Sequence, residues 1–169
     1  MQVHLNWVAD ADRHREFLAG QDFLGRDDIA LVSPDMPLRA NLSVLDNIAL
    51  IPQYRGNLAY AKAADQAWAL LVATGYQDCH AKRDPDLDHT ERCVAKLLRA
   101  VISHPAIILI DRPAMLLPDT YYPPFLFSLL DRLAAEPGEC RIVDYQWNQA
   151  LYPVEYTSEY TSATMTHQP

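Results

Sequence analysis

Polar and apolar residues alternate from Gln2 to Val8 in QVHLNWV, and this period of two predicts a strand with one wet face. The stretch from Asp10 to Gly25, DADRHREFLAGQDFLG, mixes charge with Phe17, Leu18, Phe23 and Leu24 and predicts a short helix ending at Gly25. Asp28 to Val32, DIALV, is a compact apolar run read as a second strand. SPDMP stops it, with Pro34 and Pro37 imposing a loop.

Ser43 is placed to cap the helix VLDNIALI, Val44 to Ile51, with Asp46 three residues on in a variant of the capping box. Asn57 is read as the cap of the next helix, Leu58 to Thr74, with Leu58, Ala61, Trp68 and Leu71 on its inner face and Gly75 at its end. YQDCHAKRDPDLD is polar and loop-like. Asp88 and Glu91 form a capping-box pair, and Val94, Leu97, Leu98, Val101 and Ile102 make one stripe of an amphipathic helix. His104–Pro105 breaks that helix, and AIILI follows, apolar at every position as in a strand covered on both faces. A further helix is expected from Thr120 to Glu136, stopped by Gly138, then a strand CRIVDY.

Helices and strands alternating at this spacing predict an α/β fold with a parallel sheet. Residues 1–153 are read as a single domain, with 154–169, rich in Thr and Ser and poor in apolar residues, as a flexible polar tail. Half of the 169 residues are hydrophobic, which suits a packed core rather than disorder. The net charge of −8 argues against nucleic-acid partners or anionic membrane, since both would be repelled. Apolar runs are short and interrupted, so no direct membrane insertion is expected, and the N-terminus lacks the pattern of a signal peptide. The expected location is cytoplasmic. Cys79, Cys93 and Cys140 show no CxxC spacing, and Cys79–His80 and His89–Cys93 are read as surface or half-buried residues rather than metal ligands.

The order of these pieces resembles the ATP-binding cassette (ABC) ATPase domain, from just before its Q-loop to its last switch. IALVSPDMPLRANLSVLDNIAL, Ile29 to Leu50, fits the family's strand, Q-loop and LTVLENV stretch. Counting back from Pro105 without a gap, the signature LSGGQ falls on Leu87, Asp88, His89, Thr90 and Glu91. The Arg-Ala pair falls on Arg99–Ala100, and Asp-Glu-Pro of the Walker B strand falls on Asp111, Arg112 and Pro113. The resemblance implies a P-loop NTPase-like sheet containing IALV, AIILI and CRIVD, with a helical subdomain at about 51–104. LSVLDNIAL is similar to cassettes of the Mla lipid-trafficking type and of the cell-division type.

Against that pattern the chemical positions depart. No G-x-x-x-x-G-K-[ST] is present, and the residues before the Q-loop strand leave little room for a strand, P-loop and helix. Pro34 stands at the Q-loop glutamine and offers no side-chain ligand. His89 and Thr90 replace glycines that let backbone approach a phosphate. Arg112 stands where the family keeps its general base, and Tyr145 stands at the switch histidine. Asp111 is read as a strand-end carboxylate that caps a turn or pairs with Arg112 or a neighbour, rather than as a metal ligand.

These departures imply a pseudo-ATPase with no catalytic residue, no cofactor and no resident metal, and with nucleotide not expected to bind. Its function would be protein–protein interaction. The partner would be an ABC ATPase subunit, a permease reached at the inner membrane, or a second copy. Asp35, Leu38, Leu42, Val44 and Leu45 are the candidate docking residues; a core-filling loop and helix, and the family's groove for a permease coupling helix, both fit this region. Two other functions are consistent with the residues: weak or partner-assisted ATP binding or hydrolysis, and a self-associating scaffold covering exposed sheet edges.

Overall fold

Among the described residues, four parallel strands form one sheet, Gln2–Val8 (β1), Glu139–Tyr145 (β4), Ile107–Asp111 (β3) and Ile29–Val32 (β2) in that spatial order. The computed structural model describes residues 2–21, 28–133 and 138–153. With the strands are helices α1 (Ala11–Gly20), α2 (Val44–Gly56), α3 (Tyr60–Thr74), α4 (His89–Val101), the short α5 (Pro113–Leu116) and α6 (Tyr122–Arg132). The most apolar strand, β3, lies inside the sheet, with Ile108 on Cys140 and Ile110 on Ile142 of β4, and Leu109 on Leu31 of β2. Burial on both faces is why its sequence does not alternate.

The two faces are unequal. Leu5, Val32, Ile108, Ile110, Cys140 and Ile142 join the large core shared with α2, α3, α4 and α6. Val8, Leu109 and Val143 form a smaller layer covered by Phe17 and Leu18 of α1. Asp111, two residues after Leu109, belongs to this thinner layer by the strand period.

The capping reading holds. Ser43 Oγ accepts from Asp46 N at the start of α2, and Asp88 and Glu91 make a reciprocal capping box at the start of α4. The predicted stripe Val94, Leu97, Leu98, Val101 and Ile102 is buried throughout.

Three expectations are corrected. α2 runs past Ile51 and through Pro52 to Gly56. Asn57 ends α2 rather than starting the next helix: its φ is 48°, in the left-handed region that asparagine tolerates, and Ala59 is the cap of α3. The inner face of α3 is Ala63, Ala67, Leu71 and Thr74, where small residues let the helix pack closely; Ala61 is exposed, and Trp68 is 42% exposed and meets the His80 ring edge-on. The predicted strand and helix before Ile29 are both present, with only Ala9 and Asp10 between β1 and α1.

The first helix ends at Gly20, where Gln21 N caps the carbonyls of Leu18 and Ala19; Phe23, Leu24 and Gly25 lie outside the described residues. The last helix starts at Tyr122 and is described to Arg132; the expected part at 134–136 and the tail at 154–169 also lie outside them. No helix among the described residues is long and apolar enough to cross a membrane.

Candidate functional site

The carboxyl ends of β2 and β3 and the first turns of α1 converge on Asp111. Its side chain is fully buried. Oδ1 accepts from His14 Nε2 at 2.6 Å and from Arg112 Nε at 3.0 Å. Oδ2 accepts from Ser33 Oγ at 2.7 Å and from Arg112 Nη2 at 3.0 Å. A carboxylate has about four acceptor positions, and side-chain donors of this chain take four. Burial pushes the Asp111 carboxyl up, but the bonds from Arg112, Ser33 and His14 outweigh it and hold the group below its ordinary value. Asp111 therefore pairs with Arg112 and its neighbours, as its place at a strand end suggested.

Arg112 is a bridge. Its guanidinium also bonds the carboxylate of Asp35 on the loop after β2. Those bonds to Asp111 and Asp35 raise its affinity for the proton further, and a guanidinium is already always charged. Its backbone sits at φ 45°, a strained position for a residue with Cβ, fixed by Arg112 N donating to Val143 O at 2.9 Å. The following proline opens α5, where its missing N–H has no helical partner to lose.

His14 comes from the second turn of α1, which begins at an Asp10 cap accepting from Arg13 N. Its ring is buried and lies 5.9 Å from that of Tyr145 at the end of β4. Tyr145 in turn stacks on Trp147 at 4.2 Å. The positions at Asp111, Arg112, Pro34–Asp35 and Tyr145 are thus brought into one neighbourhood.

The stretch Leu87 to Glu91 lies elsewhere, at the opposite end of α4 from its contacts with the loop. Leu87 is core, Thr90 donates to Asp88 at 2.6 Å, Glu91 takes Lys82 Nζ at 2.5 Å and His89 approaches Asp119 at 3.3 Å. Asp88 there serves as a helix cap.

Among the candidate docking residues, Leu38 and Val44 are 4% and 1% exposed and belong to the core. They shape the loop from beneath rather than presenting a contact, a correction that follows from the hydrophobic gain of burying them. Asp35 is exposed, and Leu42 and Leu45 are half-buried. Asn47, 2% exposed, organises the same loop by accepting from Arg39 N and donating to the carbonyls of Arg39, Leu42 and Ser43.

The cysteines are buried, and burial pushes Cys79 up to about 11 and Cys93 and Cys140 up to about 12, so they are poor nucleophiles. Among the described residues no group of three His, Cys, Asp or Glu side chains is placed to hold a metal.

Sequence reasoning missed His14, Ser33 and Lys96. His14 carries no local signal, being 97 residues from its partner. Ser33 and Lys96 had faint ones: a serine ending an apolar strand, and a lysine interrupting the otherwise apolar run Cys93 to Leu98 of a helix.

No protein-family model matches the chain. It is 30% identical over 99 residues to the lipoprotein-releasing system ATP-binding protein LolD of Wigglesworthia glossinidia brevipalpis, a match covering 59% of this chain and 42% of that protein. The chain thus spans less than half the length of this curated relative. The structure is similar to that of CbiO1 from Clostridium perfringens, part of the ABC transporter complex CbiONQ. The TM-score is 0.65 at 15% identity, over 86% of this chain and 67% of that one. It is also similar to the ATP-binding cassette MJ0796, solved as a dimer in a post-hydrolysis state with ADP and Pi, with a TM-score of 0.57 at 25% identity over 82% and 58%. The fold is the P-loop NTPase-like fold of ABC ATPases.

Proposed function

We propose that this chain is a non-catalytic, ABC ATPase-like component of an ABC transport system and acts through protein–protein contact. The observation that carries the reading is the saturated Asp111. In P-loop NTPases a Walker B aspartate and a P-loop hydroxyl hold Mg²⁺ against the phosphates. Here the corresponding strand-end carboxylate has an imidazole, a hydroxyl and a bidentate guanidinium on its oxygens. Magnesium needs oxygen ligands and brings two positive charges, so it would have to displace His14 and Arg112 to reach Asp111. A magnesium nucleotide does not fit these residues.

Three further features support the reading. The strand–loop–helix unit beside β4, the kind that in a P-loop carries the phosphate cradle, has Ala9–Asp10 as its whole connection and no glycine there. Arg112 has no means of acting as a base. Pro34 and Tyr145 supply neither the amide nor the imidazole of the family's switches.

The partner proposed is a complete cassette subunit or its permease, met at the cytoplasmic side of the membrane through Asp35, Leu42 and Leu45. One domain to residue 153, with a helical subdomain at about 51–104, is part of the same proposal. The name of the LolD relative supports a lipoprotein-directed system.

A second reading, nucleotide binding, is favoured by the names of the relatives and by the retained β1–α1 unit. Calorimetric titration with Mg²⁺-ATP separates the two. We expect no binding heat up to millimolar nucleotide. Binding lost in Asp111→Asn would establish the second reading and sink the first.

A further inference from the structure

We propose that the Ser33–Pro37 loop is clamped in one conformation by three cations of the chain itself, Lys96, Arg99 and Arg112, so that its shape is independent of magnesium nucleotide. This deepens the non-catalytic reading and rests on it for the last clause.

The clamp comes from two directions. From α4, Lys96 Nζ donates to Ser33 O at 3.0 Å and to Pro34 O at 3.3 Å. One turn on, Arg99 donates to Pro37 O at 2.9 Å through Nη1 and to Met36 O at 3.2 Å through Nη2. Residues three apart share a helix face, so both cations meet the loop side by side. From the end of β3, Arg112 holds the Asp35 carboxylate while gripping Asp111. Each residue of the loop therefore has an oxygen on a cation. Inside the loop, Asp35 N donates to Ser33 Oγ at 3.1 Å and Met36 N to Ser33 O at 3.2 Å, and Ser33 Oγ itself donates to Asp111. Pro34 and Pro37 fix two further torsions.

Lys96 makes the arrangement specific. It is 6% exposed, and burial lowers its affinity for the proton. Its hydrogen bonds go to backbone carbonyls. A buried ammonium is costly unless hydrogen-bonded, so any other course of the loop would strand it. Buried polar groups of this kind are best attested as devices that select one arrangement over its competitors. Through Arg112 the clamp links the loop that carries Asp35, the exposed candidate contact, directly to Asp111.

Hydrogen exchange on the full chain tests the clamp, comparing the wild type with Lys96→Met and Arg99→Gln, each with and without millimolar Mg²⁺-ATP. The wild-type amides of Asp35 and Met36 should be protected and unchanged by nucleotide. Each variant should exchange them at least about tenfold faster, while amides of Val94 to Val101 stay protected. Arg99 sits toward the surface, so its variant keeps the test open if Lys96→Met fails to fold. Loop exchange equal to wild type in Arg99→Gln, or loop exchange altered by nucleotide in the wild type, overturns the clamp. Calorimetric ATP binding with loop exchange unchanged would instead overturn only the non-catalytic reading.

Discussion

Replacing Arg112 with methionine removes the guanidinium while keeping a flexible side chain and the same left-handed backbone. The change therefore isolates the ion pair from the strain at φ 45°. Asp111, fully buried, would lose one donor from each oxygen and keep only His14 and Ser33. Hydrogen bonds to charged groups contribute about 1.5–3 kcal/mol each, and breaking a buried pair costs about 3–5 kcal/mol. The two surviving donors and the partial exposure of Arg112 reduce the figure, so about 3 kcal/mol is expected. For a chain of this size that lowers Tm by about 6–12 °C. Urea denaturation followed by circular dichroism measures it. The pH dependence adds a check of sign. Asp111 is held below its ordinary value in the folded state, so its contribution is present above the unfolded value of about 3.9 and is lost as pH falls through the folded one. Removing Arg112 removes much of that contribution. The gap between wild type and variant should be widest near neutrality and shrink in acid. A gap below about 0.5 kcal/mol at neutral pH, where unimportant surface changes fall, would refute the reasoning, as would a gap that widens on acidification.

Other contacts make equally definite claims. Asp88→Ala should cost about 1 kcal/mol through loss of the α4 cap, and Asp88→Ser should recover most of it in the same unfolding assay. Asp144, buried at the end of β4, accepts from Tyr122 Oη at 2.8 Å and Tyr152 Oη at 2.9 Å, so Tyr122→Phe and Tyr152→Phe should each cost about 1–2 kcal/mol. Their double variant should depart from additivity because both act on one oxygen. The thiols of Cys79, Cys93 and Cys140 should react with a disulfide reagent at neutral pH only slowly, and fully once urea unfolds the chain; rapid native labelling would contradict their burial.

The α4 stripe, its Asp88–Glu91 cap and the apolar β3 were legible because each is encoded within a few residues by a period or a cap. The parallel sheet followed from their alternation. Asn57 and Trp68 were misread for local reasons: asparagine serves both ends of a helix, and a large aromatic looks like core until alanines pack closer. The clustering of Asp111 with Arg112 was half visible, since the two are neighbours.

What the linear pattern determined, then, was which segments form elements and which polar positions break the ABC pattern. Tertiary structure alone decided which groups meet at the end of β3. His14 reaches Asp111 across 97 positions, Lys96 reaches Ser33 across 63, and Arg112 reaches Asp35 across 77. No periodicity records such pairs, because β1 lies beside β4 and β2 beside β3 only after long segments have folded between them. A buried carboxylate must find donors wherever the fold brings them, and here the fold brought an imidazole, a hydroxyl and a guanidinium to Asp111.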